Sequence, residues 1–256
     1  MKTIMVSIFT ALWLTASLAA DANPIHLTGL NAKPCQGICF RTAATSLVQD
    51  PELPTDQIRF ISEDAPFRFS FSGEALFLQL DSPNRNSPSA PSILKESGSS
   101  STLGLFFEGI HPASQLIAAE GPKTNASQEN DWSDTPEACP YQYIYYTEIY
   151  PGIDLRFGDR EEQLQFDYLI QPGFDHREIR IRVEGATDMY VDANGQLFIQ
   201  TGSGSISQDP PAVRQGEQSL KANWKLSANT ISVEIQDANP DLPLQIQSMF
   251  KWAVNH

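Results

Sequence analysis

Apolar side chains recur at every second position along much of this chain. The pattern is seen at Phe67, Phe69 and Phe71; at Leu164, Phe166, Tyr168 and Ile170; at Ile179, Ile181 and Val183; at Leu220, Ala222, Trp224 and Leu226; and at Ile231, Val233 and Ile235. A period of two places alternate side chains on one face, as in half-buried strands. Nothing beyond residue 22 sustains a helical period, and Gly, Pro and Asn-Gly punctuation arrives at the spacing of antiparallel sheets. The pattern therefore predicts an all-β, antiparallel β-sandwich-like domain, with two β-rich subdomains as its variant form. Each inward Phe, Leu or Ile contributes about 1.5–3 kcal/mol on burial, so facing sheets hold such a fold, not surface ion pairs.

The first residues read differently. Lys2, the apolar run Ile4 to Leu18 and small residues at Ala19, Ala20 and Ala22 have the form of a secretory signal peptide over 1–22, too short to span a bilayer comfortably. Cleavage after Ala19 or after Ala22 fits, and the second is preferred. The expectation is a secreted, extracellular or cell-surface protein, or a periplasmic one, with no membrane insertion after cleavage. With 31 acidic against 17 basic residues, the surface repels phosphate backbones, so no nucleic-acid partner is expected. A β-rich part is expected over 23–118, with a flexible Ser/Pro-rich insertion at 81–102. An irregular connection follows at 119–140, then a second β-rich part over 141–256.

The densest text is Tyr150-Pro151-Gly152-Ile153-Asp154-Leu155, followed by Leu164-Gln165-Phe166-Asp167-Tyr168 and Pro172-Gly173-Phe174-Asp175. Pro-Gly suits the centre of a type II turn, where Pro sets φ and Gly accepts a positive one. After the first turn Ile153, Leu155 and Phe157 face the core while Asp154 and Arg156 face outward. Gly158 to Gln163 then closes a hairpin. Two registers keep the apolar faces matched: one sets Asp154 opposite Asp167, the other Arg156 opposite Asp167. Like charges directly opposite are destabilising, so the second is predicted. Asp192-Ala193-Asn194-Gly195 lacks the oxygen ligands of a calcium loop and reads as a hairpin turn. Asp175 is expected to cap a helical turn ahead of His176.

Cys35, Cys39 and Cys139, in an exported chain, predict one disulfide. It is either the local pair Cys35–Cys39 or a bridge to Cys139. His26, His111, His176 and His256 show no metal-ligand spacing, and no metal or other cofactor is expected. Gly202-Ser203-Gly204-Ser205 lacks the nucleophile-elbow pattern, and no residue pattern marks a catalytic constellation. The chain is expected not to be an enzyme.

The Pro-Gly block, with Ile179-Arg180, Glu184-Gly185-Ala186 and Gly195-Gln196-Leu197, resembles the N-terminal domain that precedes SBBP beta-propeller repeats in bacterial cell-surface proteins. The likeness is closest over 141–246. It departs from that pattern at 23–56, and no repeats follow before His256, as in a freestanding variant or a truncated form. The resemblance implies a β-rich cell-surface module without an established activity, to which Tyr150, Pro151, Gly152, Asp154, Asp167, Pro172, Gly173, Gly185 and Gly195 contribute as structural motif residues. The leading expectation is thus a non-enzymatic module with a structural or interaction role and an unknown protein or glycan partner. The alternative is a carbohydrate-binding module in which Tyr143 and Tyr145, side by side on one strand face, form a flat platform for sugar rings. Packing of those rings under the loop at 120–140 is the preferred reading of the pair. An extracellular hydrolase stands last.

Overall fold

Alternation in the sequence becomes two stacked antiparallel sheets in the computed structural model, which describes residues 38–43, 57–62, 67–80, 101–119 and 141–254. These lie within one compact unit, Ala32–His256. The first strands are Arg41–Thr42 (β1), Ile58–Ser62 (β2), Phe67–Ser72 (β3), Ala75–Leu80 (β4), Ser101–Phe107 (β5) and Gln115–Ala119 (β6). The motif region gives Tyr143–Tyr150 (β7), Ile153–Arg160 (β8) and Gln163–Ile170 (β9), then a 3-10 turn at His176–Glu178 and strand Ile181–Glu184 (β10). Next come Asp188–Val191 (β11), Leu197–Gln200 (β12), Gly204–Gln208 (β13), Ala212–Gln215 (β14) and Gln218–Leu220 (β15). Ala222–Ser227 (β16), Thr230–Ile235 (β17) and Leu244–Val254 (β18) complete the fold.

One sheet runs β1-β2-β3-β4-β5-β10-β17-β16 and the other β11-β12-β13-β18-β9-β8-β7-β6, with β14 attached to β18 and β15 to β14. Both draw on both halves of the chain: β5 pairs β10, and β6 pairs β7. Between them lies a core rich in rings. Phe71 meets Phe157 at 5.3 Å, Phe107 meets Tyr146 at 5.1 Å, and Phe166 meets Trp224 at 6.4 Å, each pair joining one sheet to the other. The Tyr146 hydroxyl crosses the same gap to donate to the Ser72 carbonyl at 2.7 Å. Because edge-to-face rings interlock as well as bury area, these contacts fix how the layers sit.

Several expectations change in detail. Ser101 and Thr102 open β5 and are not part of the insertion, and Ala119 closes β6. The run Leu220 to Leu226 is not one strand: β15 ends at Leu220, pairing with β14 beside the ten-stranded sheet, and β16 starts at Ala222, pairing with β17 in the eight-stranded one. Its alternation is genuine, but the chain changes layers at Lys221. Ile179 is buried yet stands outside the strand, as the C-cap of the 3-10 turn. The β8–β9 hairpin closes later than expected, on Glu161 and Glu162, both at positive φ (55° and 62°). The signal segment 1–22, Cys35 and Cys139 lie outside the described residues, as do 81–100 and 120–140. Cys39 is not a free thiol.

Candidate functional site

The motif block builds its turns as its residues dictate. Pro151 and Gly152 form the tip joining β7 to β8, with Gly152 at φ 65°, and a Cβ there would sit 2.2 Å from the Phe174 ring. Glycine is required twice over, for the backbone and for the ring. Gly185, at φ 84°, would drive a Cβ to 2.1 Å from the Thr102 carbonyl oxygen, so β10 can end close against β5 only without a side chain. Pro172 is exposed, Gly173 takes φ 85°, and Gly195 takes φ 80° in the β11–β12 turn, where the Asp192 carboxylate accepts from the Asn194 and Gln196 amides. Tyr150 is buried, and its hydroxyl donates to the Arg180 carbonyl at 3.1 Å. Asp175 caps the 3-10 turn, accepting from the Arg177 amide at 2.9 Å.

Pairing registers place the outward residues of five strands in rows. One row runs Ile117, Tyr145, Arg156, Asp167, Gln247, and the next runs Ala119, Tyr143, Gly158, Gln165, Met249. Arg156 thus stands opposite Asp167, and Asp154 opposite Leu169. The Asp167 carboxylate is the centre of this face. Arg156 donates to one oxygen through Nε at 2.9 Å and through its terminal nitrogen, while Gln165 and Gln247 donate to the other at 2.8 and 2.7 Å. With four donors the carboxylate is saturated, which explains how it stays only 2% exposed without being an unpaired buried charge. Partial burial opposes the Arg156 charge, but the hydrogen bond and attraction from Asp167, helped by Tyr145, outweigh it and raise the guanidinium above its ordinary value.

The two tyrosines flank this network. Tyr143 and Tyr145 are half-buried, with ring centroids 6.2 Å apart and planes inclined by 54°. The pair is a bent surface, not a flat platform. Tyr143 lies over the bare Gly158, whose added Cβ would meet the ring at 2.8 Å, and Arg156 sits 5.6 Å from its centroid. Packing against 120–140 falls outside the described residues. Ile117, 43% exposed beside Tyr145, extends the patch.

Two further acids of this sheet are held by main-chain amides. Asp154 accepts from the Glu148 amide at 2.7 Å, holding a bulge in β7 where Glu148 takes φ 47°. Asp159 accepts from the Ile38 amide at 3.0 Å. Among the described residues no group of three or more His, Cys, Asp or Glu could hold a metal ion, and no helix is long and apolar enough to cross a membrane. Sequence reading found Tyr143, Tyr145, Arg156 and Asp167 but not the amides around them. Gln165 shares their alternation; Gln247 comes from 80 residues away, and nothing in its local sequence marks it.

A two-layer antiparallel β-sandwich whose outer face carries rings beside a saturated ion-pair network is the class of domain these features define. The chain belongs to the DUF7948 family, a domain of unknown function, which it matches over residues 48–247. No curated protein and no solved structure matches it.

Proposed function

We propose that this chain is an exported, non-enzymatic module that binds a glycan through the outer face of its ten-stranded sheet. The observation carrying this reading is the pair of rows centred on Arg156 and Asp167. Rings at Tyr143 and Tyr145 offer apolar faces to sugar C–H groups, and Arg156, Gln165 and Gln247 offer polar edges within the same band. Saturation of Asp167 argues against its use as a catalytic acid or base, since a general base needs a free lone pair directed at substrate. Asp154 and Asp159 are spent on main-chain amides, whereas a paired-acid glycosidase keeps both carboxyl groups directed at its substrate.

Export rests on the signal-like residues 1–22, a single disulfide involving Cys39 on the three cysteines, and a cell-surface setting on the resemblance to domains that precede SBBP repeats. A net charge of −14 argues against nucleic acid as the partner. A structural role with a protein partner on the same face is the second reading, favoured by the exposed Ile117 at the end of the ring row.

The test is an array of cell-wall and surface glycans probed with the wild-type chain, Tyr143→Ala and Tyr145→Ala. The reading expects binding by the wild type and loss of at least tenfold in either variant with the fold intact. Absence of binding to every glycan removes it in favour of a protein partner. Turnover of any glycan at enzymatic rates overturns the non-enzymatic claim.

A further inference from the structure

The outer face of the ten-stranded sheet carries a second ring pair, on the far side of β18 from the tyrosines. Alternate burial fixes which residues point outward. Leu197, Ile199 and Ile206 are fully buried, and Trp252 meets Phe69 of the other sheet at 5.9 Å, so Phe198, Ser207 and Lys251 face out. Pairing registers join them in one row: Tyr190, Phe198, Ser207, Lys251. On β18, Lys251 stands two residues beyond Met249, where the row through Tyr143 and Gln165 arrives. Both ring pairs therefore lie on one continuous face.

The Tyr190 and Phe198 rings lie 5.1 Å apart and within 13° of parallel. β11 ends the sheet order, so the Tyr190 ring face turned away from Phe198 meets no further strand of this sheet among the described residues, and Tyr190 is 43% exposed. Beside the rings stands a second carboxylate held by a cation and an amide. Asp209 accepts from Lys251 Nζ at 2.5 Å and from the Gln196 side chain at 3.3 Å. Its carbonyl is anchored in turn, accepting from the Trp224 indole at 2.8 Å and the Ser248 hydroxyl at 3.2 Å. Tyr143 and Tyr145 beside Arg156, Asp167 and the two glutamines have the same composition. A cross-strand ring pair contributes about 0.2–1 kcal/mol to its sheet wherever it stands, so stability accounts for each pair but not for the repeat of its polar surround.

From Tyr143 to Phe198 the sheet order β7-β8-β9-β18-β13-β12 takes five steps. At ~4.8 Å per strand that is about 24 Å, beyond the reach of any single sugar ring. Sheet twist also turns the face between the two pairs, so a rigid flat ligand cannot lie on both. We infer that Tyr190 and Phe198 form a second subsite, with Lys251 and Gln196 as its polar edge, and that the ligand is the interior of a soluble, linear polysaccharide whose rings, joined by rotatable links, stack on both pairs at once. This inference rests on the glycan reading of the tyrosine rows and adds to it the length and linearity of the ligand. A chain held at one pair meets the other at high effective concentration, so spanning both tightens binding without any new contact at either.

The experiment is calorimetric titration of the full chain with hydrolysates of bacterial surface polysaccharide, fractionated by size from disaccharide to dodecasaccharide. Short fragments are expected to bind two per chain, one at each ring pair, and long fragments one per chain and at least tenfold more tightly. Tyr190→Ala, at an exposed ring on the end strand, is expected to abolish the gain with length and to reduce short fragments to one per chain. Phe198→Ala should do the same, and thermal unfolding of both variants checks that the fold is kept. Long fragments that bind no more tightly than short ones, or a gain with length that survives Tyr190→Ala, overturn the inference and leave the tyrosine rows as a lone glycan site. Absence of binding by every fragment removes the second subsite and the glycan reading together.

Discussion

Asp167 shows how one side chain can organise a surface. It is buried on the outer face of a sheet, a position where solvent would normally reach a carboxylate, because four donors from three strands close around it. Removing it strands Arg156 and both glutamines. Asp167→Ala is expected to destabilise the fold by about 1–3 kcal/mol, the cost of leaving partly buried donors unsatisfied. Asp167→Asn, which keeps the volume and some acceptor capacity, is expected to cost less. Urea denaturation midpoints check both, and equal stability of all three proteins would mean that the network contributes nothing. At this scale the sequence was informative about the ion pair and silent about the amides. Arg156 and Asp167 sit within one hairpin, where alternation plus like-charge repulsion decides the register. Gln247 reaches Asp167 only once β18 lies beside β9, a pairing of distant segments that no local pattern encodes.

The β8–β9 hairpin concentrates the same lesson in an element. Its strands follow from alternation, but its turn does not, because Glu161 and Glu162 are poor residues for left-handed backbone and carry like charge. The paired registers put them at the tip regardless, so strand burial overrides turn preference. The double substitution Glu161→Asn with Glu162→Gly is expected to stabilise the protein by about 1 kcal/mol, since Asn and Gly accept positive φ at lower cost. A rise in the midpoint of thermal unfolding checks this; a fall would show that the two carboxylates make contacts worth more than the backbone strain. Other elements hid for related reasons. The break at Lys221 preserves alternation across a change of sheet, so Leu220 and Ala222 look continuous although they pair in different layers. β4 is buried along its whole length, because Ala75 and Phe77 join a second apolar cluster with Ile58 and Ile61, apart from the main core.

For the whole molecule, the layers are joined by tyrosines as much as by phenylalanines. Burial raises Tyr146 and Tyr168 well above the ordinary tyrosine value and pushes Tyr150 up to about 12. The fold thus favours the neutral phenols, whereas an unfolded chain ionises them near 10. Their contribution is complete below that unfolded value and is lost as pH rises through the folded one. Alkaline unfolding is therefore expected to set in above about pH 10, with these three of the seven tyrosines ionising together with the loss of structure. Absorbance of the phenolate followed beside circular dichroism tests the coupling; ionisation of all seven with the fold intact would refute it. The two-sheet architecture was legible in the sequence because burial on one face imposes a period of two, while sheet order depends on which strands meet, and no residue pattern specifies that.

The claim on which the functional account turns is that the rows around Arg156 and Asp167 are a binding surface. The most direct measurement is a nuclear magnetic resonance titration of the isotopically labelled chain with soluble fragments of bacterial surface polysaccharide. The account predicts saturable shifts concentrated at Ile117, Tyr143, Tyr145, Arg156, Gln165 and Gln247. Saturable shifts gathered on another face, or none at any of these residues, would contradict it.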